Sequence, residues 1–241
     1  MKNRYDVIIV GTGVAGCFTA LHLTDDADIL MITKSDLEES DSFLAQGGIC
    51  VQKNDADYDS FYEDTMRAGH YENSPGSVDL MIRDSRSVIN ELIGYGVEFE
   101  KDSNGLSFTR EGAHSTNRIL YHDDITGQEI TSKLLLQVQS KRNVTLMTST
   151  AMVDILCRDG ACDGILVSDS DHCLHPVFAD NVMWACGGIG GIYSSSTNFP
   201  HLTGDALALS LKHGIKLKNI NYIQIHPTTL LSEEKERRFH I

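Results

Sequence analysis

Gly11, Gly13 and Gly16 form a Gly-x-Gly-x-x-Gly loop between an apolar, strand-like run, Tyr5–Val10, and a helical stretch, Val14–Thr24. Missing side chains at that spacing let the backbone turn tightly, let a pyrophosphate approach the amides at a helix N-terminus, and let the helix lie close to a sheet. Asp28–Thr33 reads as a second strand and completes a βαβ unit. In that context Gly11, Thr12, Gly13, Val14, Ala15 and Gly16 read as a dinucleotide-binding loop, with an ordinary glycine-rich turn as the bland alternative. An NAD site calls for an acidic residue about 20 positions further on, to bind the ribose hydroxyls. Thr33-Lys34 stand there instead. A lysine suits either the extra phosphate of NADP or an FAD site that contacts the adenosine differently, and the loop alone leaves both open.

The 241 residues carry 34 acidic and 20 basic side chains, a formal charge of −14. That field repels phosphate polymers and anionic lipid, so neither nucleic acid nor a membrane surface is expected as a partner. It also repels a dianionic substrate, whose site must therefore gather His and Arg locally. Cys17, Cys50, Cys157, Cys162, Cys173 and Cys186 contain no CxxC pair, which favours free thiols and a cytoplasmic setting. Lys2, Arg4 and the apolar run ending at Cys17 imitate a lipoprotein signal, but Asp6 and the glycines interrupt it. No stretch reaches the roughly 20 apolar residues that a membrane span needs.

Further along, Lys34–Asn54 reads as a long functional loop and Asp57–Ala68 as a helix. Ser74 as N-cap and Pro75 at the first helical position start a helix whose apolar side is Val78, Ile82, Ile89, Leu92 and Ile93 and which ends near Gly94 or Gly96. Thr126 and Glu129 have the spacing of a capping box, followed by an Ile130, Leu134, Val138 stripe. From Asn143 to Ala185, β-rich runs broken at Arg158-Asp159-Gly160 and Ser168–Asp171 predict an antiparallel meander returning to a core strand, Asn181–Ala185. Gly187–Gly191 is another loop and Gly204–Lys212 another helix. His172, Cys173 and His175 sit in a turn without a second ligand pair, so a solvated hairpin is expected and no metal site.

Ser42-Phe43-Leu44-Ala45-Gln46-Gly47-Gly48 resembles the flavin-edge loop of the flavoprotein family that contains succinate dehydrogenase, fumarate reductase and L-aspartate oxidase. Three more blocks fit that family in order. Ala185-Cys186-Gly187-Gly188 resembles its ATGG strand end, with cysteine for threonine; Thr203-Gly204-Asp205 resembles its TGDG helix start; Gln224-Ile225-His226-Pro227-Thr228 resembles its QxHPT segment. The resemblance implies an α/β fold: a Rossmann-like FAD-binding domain with parallel sheet, helices and antiparallel meander over 1–218, and the truncated start of a capping domain over 219–241. It adds Lys34, Asp41, Ser42–Gly48, Ala151, Met152, Gly187, Gly188 and Asp205 to the cofactor set. Membrane-bound relatives carry the flavin on a histidine seven residues before the last glycine of the loop; Asp41 stands there, so FAD is expected to bind non-covalently. Asp205 read by itself is equally a helix cap.

Arg110-Glu111-Gly112-Ala113-His114-Ser115, with Asn117-Arg118-Ile119-Leu120 after it, resembles the L-aspartate oxidase branch of the family. Glu111 has a chemical reason there, because aspartate differs from succinate by an ammonium group that a carboxylate can pair. Succinate would leave Glu111 unpaired. By resemblance the chemistry is oxidation of L-aspartate to iminosuccinate, with oxygen or fumarate as acceptor, on the way to quinolinate and NAD. Glu111, Gln224 and His226 are the implied substrate residues, and transient contact with quinolinate synthase is a possible partnership. The resemblance covers only the front of the family enzyme, whose catalytic arginine lies further on, so an incomplete piece that turns over poorly is expected. The rival readings are a soluble succinate or fumarate oxidoreductase, a silent FAD-binding fragment and, from Lys34, an NADP-dependent dehydrogenase.

Overall fold

A computed structural model describes residues 2–103 and 105–225. β1 (Arg4–Val10) leads through the glycine loop into α1 (Val14–His22), and β2 (Ile29–Ile32) follows. The helix stops at His22 rather than Thr24 because Leu23 turns extended. Within 34–54, read from sequence as loop, lie a short helix, α2 (Asp41–Leu44), and a two-residue strand, β3 (Ile49–Cys50). Next come α3 (Tyr58–Ala68), α4 (Pro75–Gly94), the small pair β4 (Lys101–Asp102) and β5 (Gly105–Leu106), and β6 (Ile119–Leu120). The chain then forms α5 (Thr126–Ser140), β7 (Val144–Met147), β8 (Ala151–Arg158), β9 (Ala161–Ser168), β10 (Leu174–Trp184) and α6 (Asp205–Lys212).

Two compact units result: Met1–Asp41 with Leu135–Ile241, and Ser42–Leu134. The first holds a six-stranded sheet in the order β7-β2-β1-β10-β9-β8. β7, β2, β1 and β10 run parallel, while β9 pairs antiparallel with both β10 and β8. Ile8, Ile9 and all four β2 residues are buried, as continuous apolar runs in the middle of a parallel sheet must be. β10 joins the two regimes. Its first residues, Leu174–Phe178, pair antiparallel with β9, and from Phe178 to Trp184 it pairs parallel with β1. The core strand is therefore longer than Asn181–Ala185, because the return arm of the meander and the core strand are one continuous element. Tyr5, Ile8, Leu30, Ile165, Val167 and Val177 share one apolar core with Leu209 of α6. Lys212 and His213, at the end of α6, bond Asp154 of β8 at 2.5 and 2.7 Å.

In the second unit, Phe61 and Met66 of α3 pack with Val78 and Ile82 of α4. Ser74 and Pro75 occupy the expected N-cap and first-turn positions, although the Ser74 side chain makes no cap bond. Val78, Ile82, Ile89 and Leu92 are buried as predicted, but Ile93 is 40% exposed. Each helical residue advances 100°, so Ile93 lies beyond the edge of a stripe centred on the other four. The capping box does not form: Thr126 is already helical and its Oγ1 accepts the His122 N–H at 3.0 Å, while Glu129 Oε1 accepts the Glu98 N–H at 2.8 Å. Both side chains serve neighbouring loops instead. The buried side of α5 is also wider than one stripe, taking in Leu135 and Thr131 as well as Ile130, Leu134 and Val138.

Candidate functional site

β1 delivers the chain to Gly11, whose φ of +113° and position leave no space for a side chain: a Cβ there would collide with the Ala185 carbonyl oxygen. A Cβ on Gly16 would collide with the Gly11 carbonyl oxygen. The first and third glycines thus let the turn sit against the end of β10 and α1 sit against the turn. Gly13 is the N-cap of α1, no side chain caps that end, and its first turn holds no acid. The helix start is therefore built to receive an anion. The Thr12 side chain points inward and donates to the Leu37 carbonyl at 2.8 Å, so only its backbone is available to a ligand. Val14 is half-buried and Ala15 exposed at the same end. Cys17 is fully buried beneath the loop, where burial pushes its thiol up to about 12; it cannot be a lipid-attachment residue.

Lys34 and Asp205, assigned separately from sequence, meet. Lys34 Nζ lies 2.9 Å from Asp205 Oδ2 and donates to Thr203 Oγ1 at 2.9 Å, and Thr203 in turn donates to Asp205 Oδ1 at 2.7 Å. Gly204, the N-cap of α6, has φ +74°, a left-handed turn that suits glycine and aims Asp205 at Lys34. With its charge already paired, Lys34 is a poor receptor for the extra phosphate of NADP, which counts against the plain dehydrogenase reading. Gly187 and Gly188 are exposed, and nothing lies within 4 Å of a Cβ built on Gly188. That leaves bare backbone for a ligand to lie against. Ala151 and Met152 open β8; the Met152 side chain is in the core, so any cofactor contact there is through backbone. Asp41 is half-buried, its carboxyl pushed up by burial and partly held down by the Phe199 N–H it accepts at 3.3 Å.

In the second unit, the Ser42–Gly48 segment is held from behind. The Ala45 carbonyl accepts the Gly127 N–H at 2.8 Å, and a Cβ on Gly48 would collide with Ile119 and Leu120. β3 pairs with β6, matching Ile49 to Leu120. Ala45, Gln46 and Gly47 remain exposed. Glu111 is exposed too, and its carboxylate faces this loop: a Cβ on Gly47 would sit 3.3 Å from Glu111 Oε1. The structure therefore brings together the QGG backbone and the branch-specific acid. Gln224 is exposed near the end of the described chain, and His226 lies outside the described residues.

Sequence reasoning missed the buried cluster at the far end of the turn that bears Glu111. Arg118 is 0% exposed and binds Asp57 Oδ1 at 2.9 Å and Asp64 Oδ2 at 2.6 Å, with a further bond to Ser60. Asp64 also accepts the Ser115 N–H and hydroxyl, both at 2.7 Å. Burial acts to raise Asp64, but the Ser115 and Arg118 donors outweigh it and hold the carboxyl far below its usual range. Asp57 follows the same pattern, with burial opposed chiefly by Arg118. Arg118 lies in the motif that carries Glu111, but its work is to hold the turn's far end. The available signal was Asp57 and Asp64 seven residues apart, which puts both on one helical side.

Among the described residues no three His, Cys, Asp or Glu side chains gather as a metal site, and no helix is long and apolar enough to cross a membrane. All six cysteines are free thiols.

Comparison with known proteins places this geometry. An L-aspartate oxidase of Clostridium perfringens is 44% identical over 242 residues, covering 100% of this chain and 55% of that protein. That of Clostridium acetobutylicum is 39% identical, covering 100% and 56%. The chain spans about half the length of these curated relatives. Among solved structures, an E. coli quinol fumarate reductase is similar with TM-score 0.81 at 25% identity, over 87% of this chain and 37% of that one. A flavocytochrome c3 fumarate reductase shares the fold alone, with TM-score 0.87 at 20% identity over 100% of this chain and 45% of that one. The sequence profile of the family described as "FAD binding domain" matches residues 6–239. An uncapped helix start behind a glycine turn that tolerates no side chain, bare backbone at Gly187-Gly188, and a profile match over nearly the whole length agree: this chain belongs to the FAD binding domain family.

Proposed function

We propose that the chain is the FAD-binding portion of an L-aspartate oxidase, acting in the cytoplasm, with residues 1–218 as its FAD-binding domain and 219–241 opening a capping domain. The observation that carries this is the Glu111 carboxylate beside Gly47 of the QGG loop. FAD, when bound, supplies the acceptor for the hydride that leaves the substrate Cα. The chain's own residues bind and orient. Amides at the start of α1 and the bare Gly187-Gly188 backbone hold phosphate and ribose, and Asp41, lacking a ring nitrogen, leaves the flavin non-covalent. Glu111 pairs the substrate ammonium and so orients the Cα hydrogen, while Gln224 and His226, by family resemblance, take the carboxylates. Loss of the Cα hydride, with two protons released from the ammonium nitrogen, gives iminosuccinate; exclusion of water protects this imine, and a hand-over to quinolinate synthase would serve the same end.

Magnitudes bear on selectivity. An ion pair as exposed as Glu111 is here is worth about 0.2–1 kcal/mol, a preference for aspartate over succinate of no more than about fivefold. Stripping water from Glu111 raises the penalty for leaving it unpaired to about 3–5 kcal/mol. The test is anaerobic mixing of the FAD-loaded protein with each dicarboxylate, with flavin absorbance followed. Bleaching by aspartate in preference to succinate is expected; bleaching by succinate alone would move the chain to the succinate and fumarate branch. A yellow protein inert to both is the outcome that favours a silent FAD-binding piece.

A further inference from the structure

His114 sits between the turn that bears Glu111 and the strand that follows the QGG loop. Its Nδ1 lies 3.1 Å from Arg118 Nη1, and its Nε2 lies 3.3 Å from Cys50 Sγ. A guanidinium nitrogen only donates, so Nδ1 must accept; the ring proton of neutral His114 is then on Nε2, where it donates to the Cys50 sulfur. The Glu111 carbonyl accepts the His114 N–H at 3.0 Å, which couples the two ends of the turn. The groups facing the ring are Arg118, Asp64, Glu111, Asp57 and the Cys50 thiol, with the edge of Phe61 at 6.1 Å between centroids. Burial and Arg118 hold the ring below its ordinary range, against the opposing pull of the three carboxylates. Cys50 stays a thiol, because burial and then Glu111 both push it up.

We propose that His114 is a positioning residue for Glu111: locked as the Nε2–H tautomer by the buried Arg118, its ring ties the Glu111 turn to Cys50 and so sets the carboxylate against Gly47. As a statement about selectivity this rests on the aspartate reading above; as a statement about the link it does not. Without the ring bridge, the turn from Arg110 to Ala113, exposed throughout, is held only at its two ends, by the paired Thr109 and Ile119 backbones and by Ser115 on Asp64. The Glu111 carboxylate would then sample positions away from the loop.

Nuclear magnetic resonance of the full chain, reading the His114 ring nitrogens and the Glu111 carboxyl carbon, tests the link directly. The expected result is the Nε2–H tautomer at neutral pH, a Glu111 signal that moves in His114→Ala and in Cys50→Ala, and recovery in His114→Gln, whose amide N–H reaches the same sulfur. In titrations of the FAD-loaded chain, His114→Ala should weaken aspartate binding by about fivefold and succinate binding by less than about twofold, the scale of one lost hydrogen-bonded anchor. An Nδ1–H tautomer, or a Glu111 signal indifferent to His114→Ala in a variant with intact circular dichroism, overturns the link. Equal affinity for the two dicarboxylates in the unsubstituted chain, with Glu111 still responding to His114, overturns the aspartate reading and leaves the link standing.

Discussion

Gly11 and Gly188 show how two glycines of the proposed cofactor site differ in kind. At Gly11 a methyl group would meet the Ala185 carbonyl in a left-handed backbone, whereas at Gly188 it would meet nothing. Gly11→Ala should therefore cost about 2–4 kcal/mol of stability in urea unfolding without cofactor. Gly188→Ala should change stability by less than about 0.5 kcal/mol but weaken FAD binding, read by flavin fluorescence. The Arg118 cluster makes a second prediction. Asp64→Asn leaves a buried guanidinium short of one counter-charge and should cost about 3–5 kcal/mol. The acid limb of stability draws on depressed groups, among them His114, Asp57, Asp64 and Asp154. Each binds protons more readily unfolded than folded, so stability rises with pH through its range. The His114 contribution is full above about pH 6.5 and the aspartate contributions above about pH 4; each is lost as pH falls through the folded value. Denaturation midpoints measured from pH 7 down to 3 should fall in two stages, and His114→Gln should remove the upper one.

α4 carries a comparison that periodicity alone would miss. Ile89 and Ile93 occupy consecutive turns, but Ile89 is 3% exposed and Ile93 is 40% exposed. Ile89→Ala should cost about 2–5 kcal/mol and Ile93→Ala less than about 1 kcal/mol, measured by thermal unfolding. In α5 the Thr126 and Glu129 pair was legible as a capping box and is not one. The same polar side chains can satisfy any nearby amide, and here they accept those of His122 and Glu98. Helix and strand identities in the first unit were legible because their apolar periods are strong. The extension of β10 back to Leu174 was not, because pairing on two sides is a property of neighbours, which no window along the chain contains.

The charge of −14 is spread over a chain in which Lys34 and Arg118 are both paired. Self-repulsion of the remaining acids should make the protein more stable as salt rises from about 0.02 to 0.2 M, because the screening length shortens from about 20 Å towards 7 Å. A thermal midpoint that falls over that range would contradict this. The glycine spacing and the strand periods by themselves determined a dinucleotide fold and its first loop, because each is a local demand for bare backbone or a buried stripe. Tertiary structure alone decided that Lys34 spends its charge on Asp205, that Asp57 and Asp64 enclose Arg118, and that Glu111 lies beside Gly47 with His114 bridging to Cys50. Those pairings join residues far apart along the chain, and whether a charge is free or paired depends on which distant group folding brings within about 3 Å.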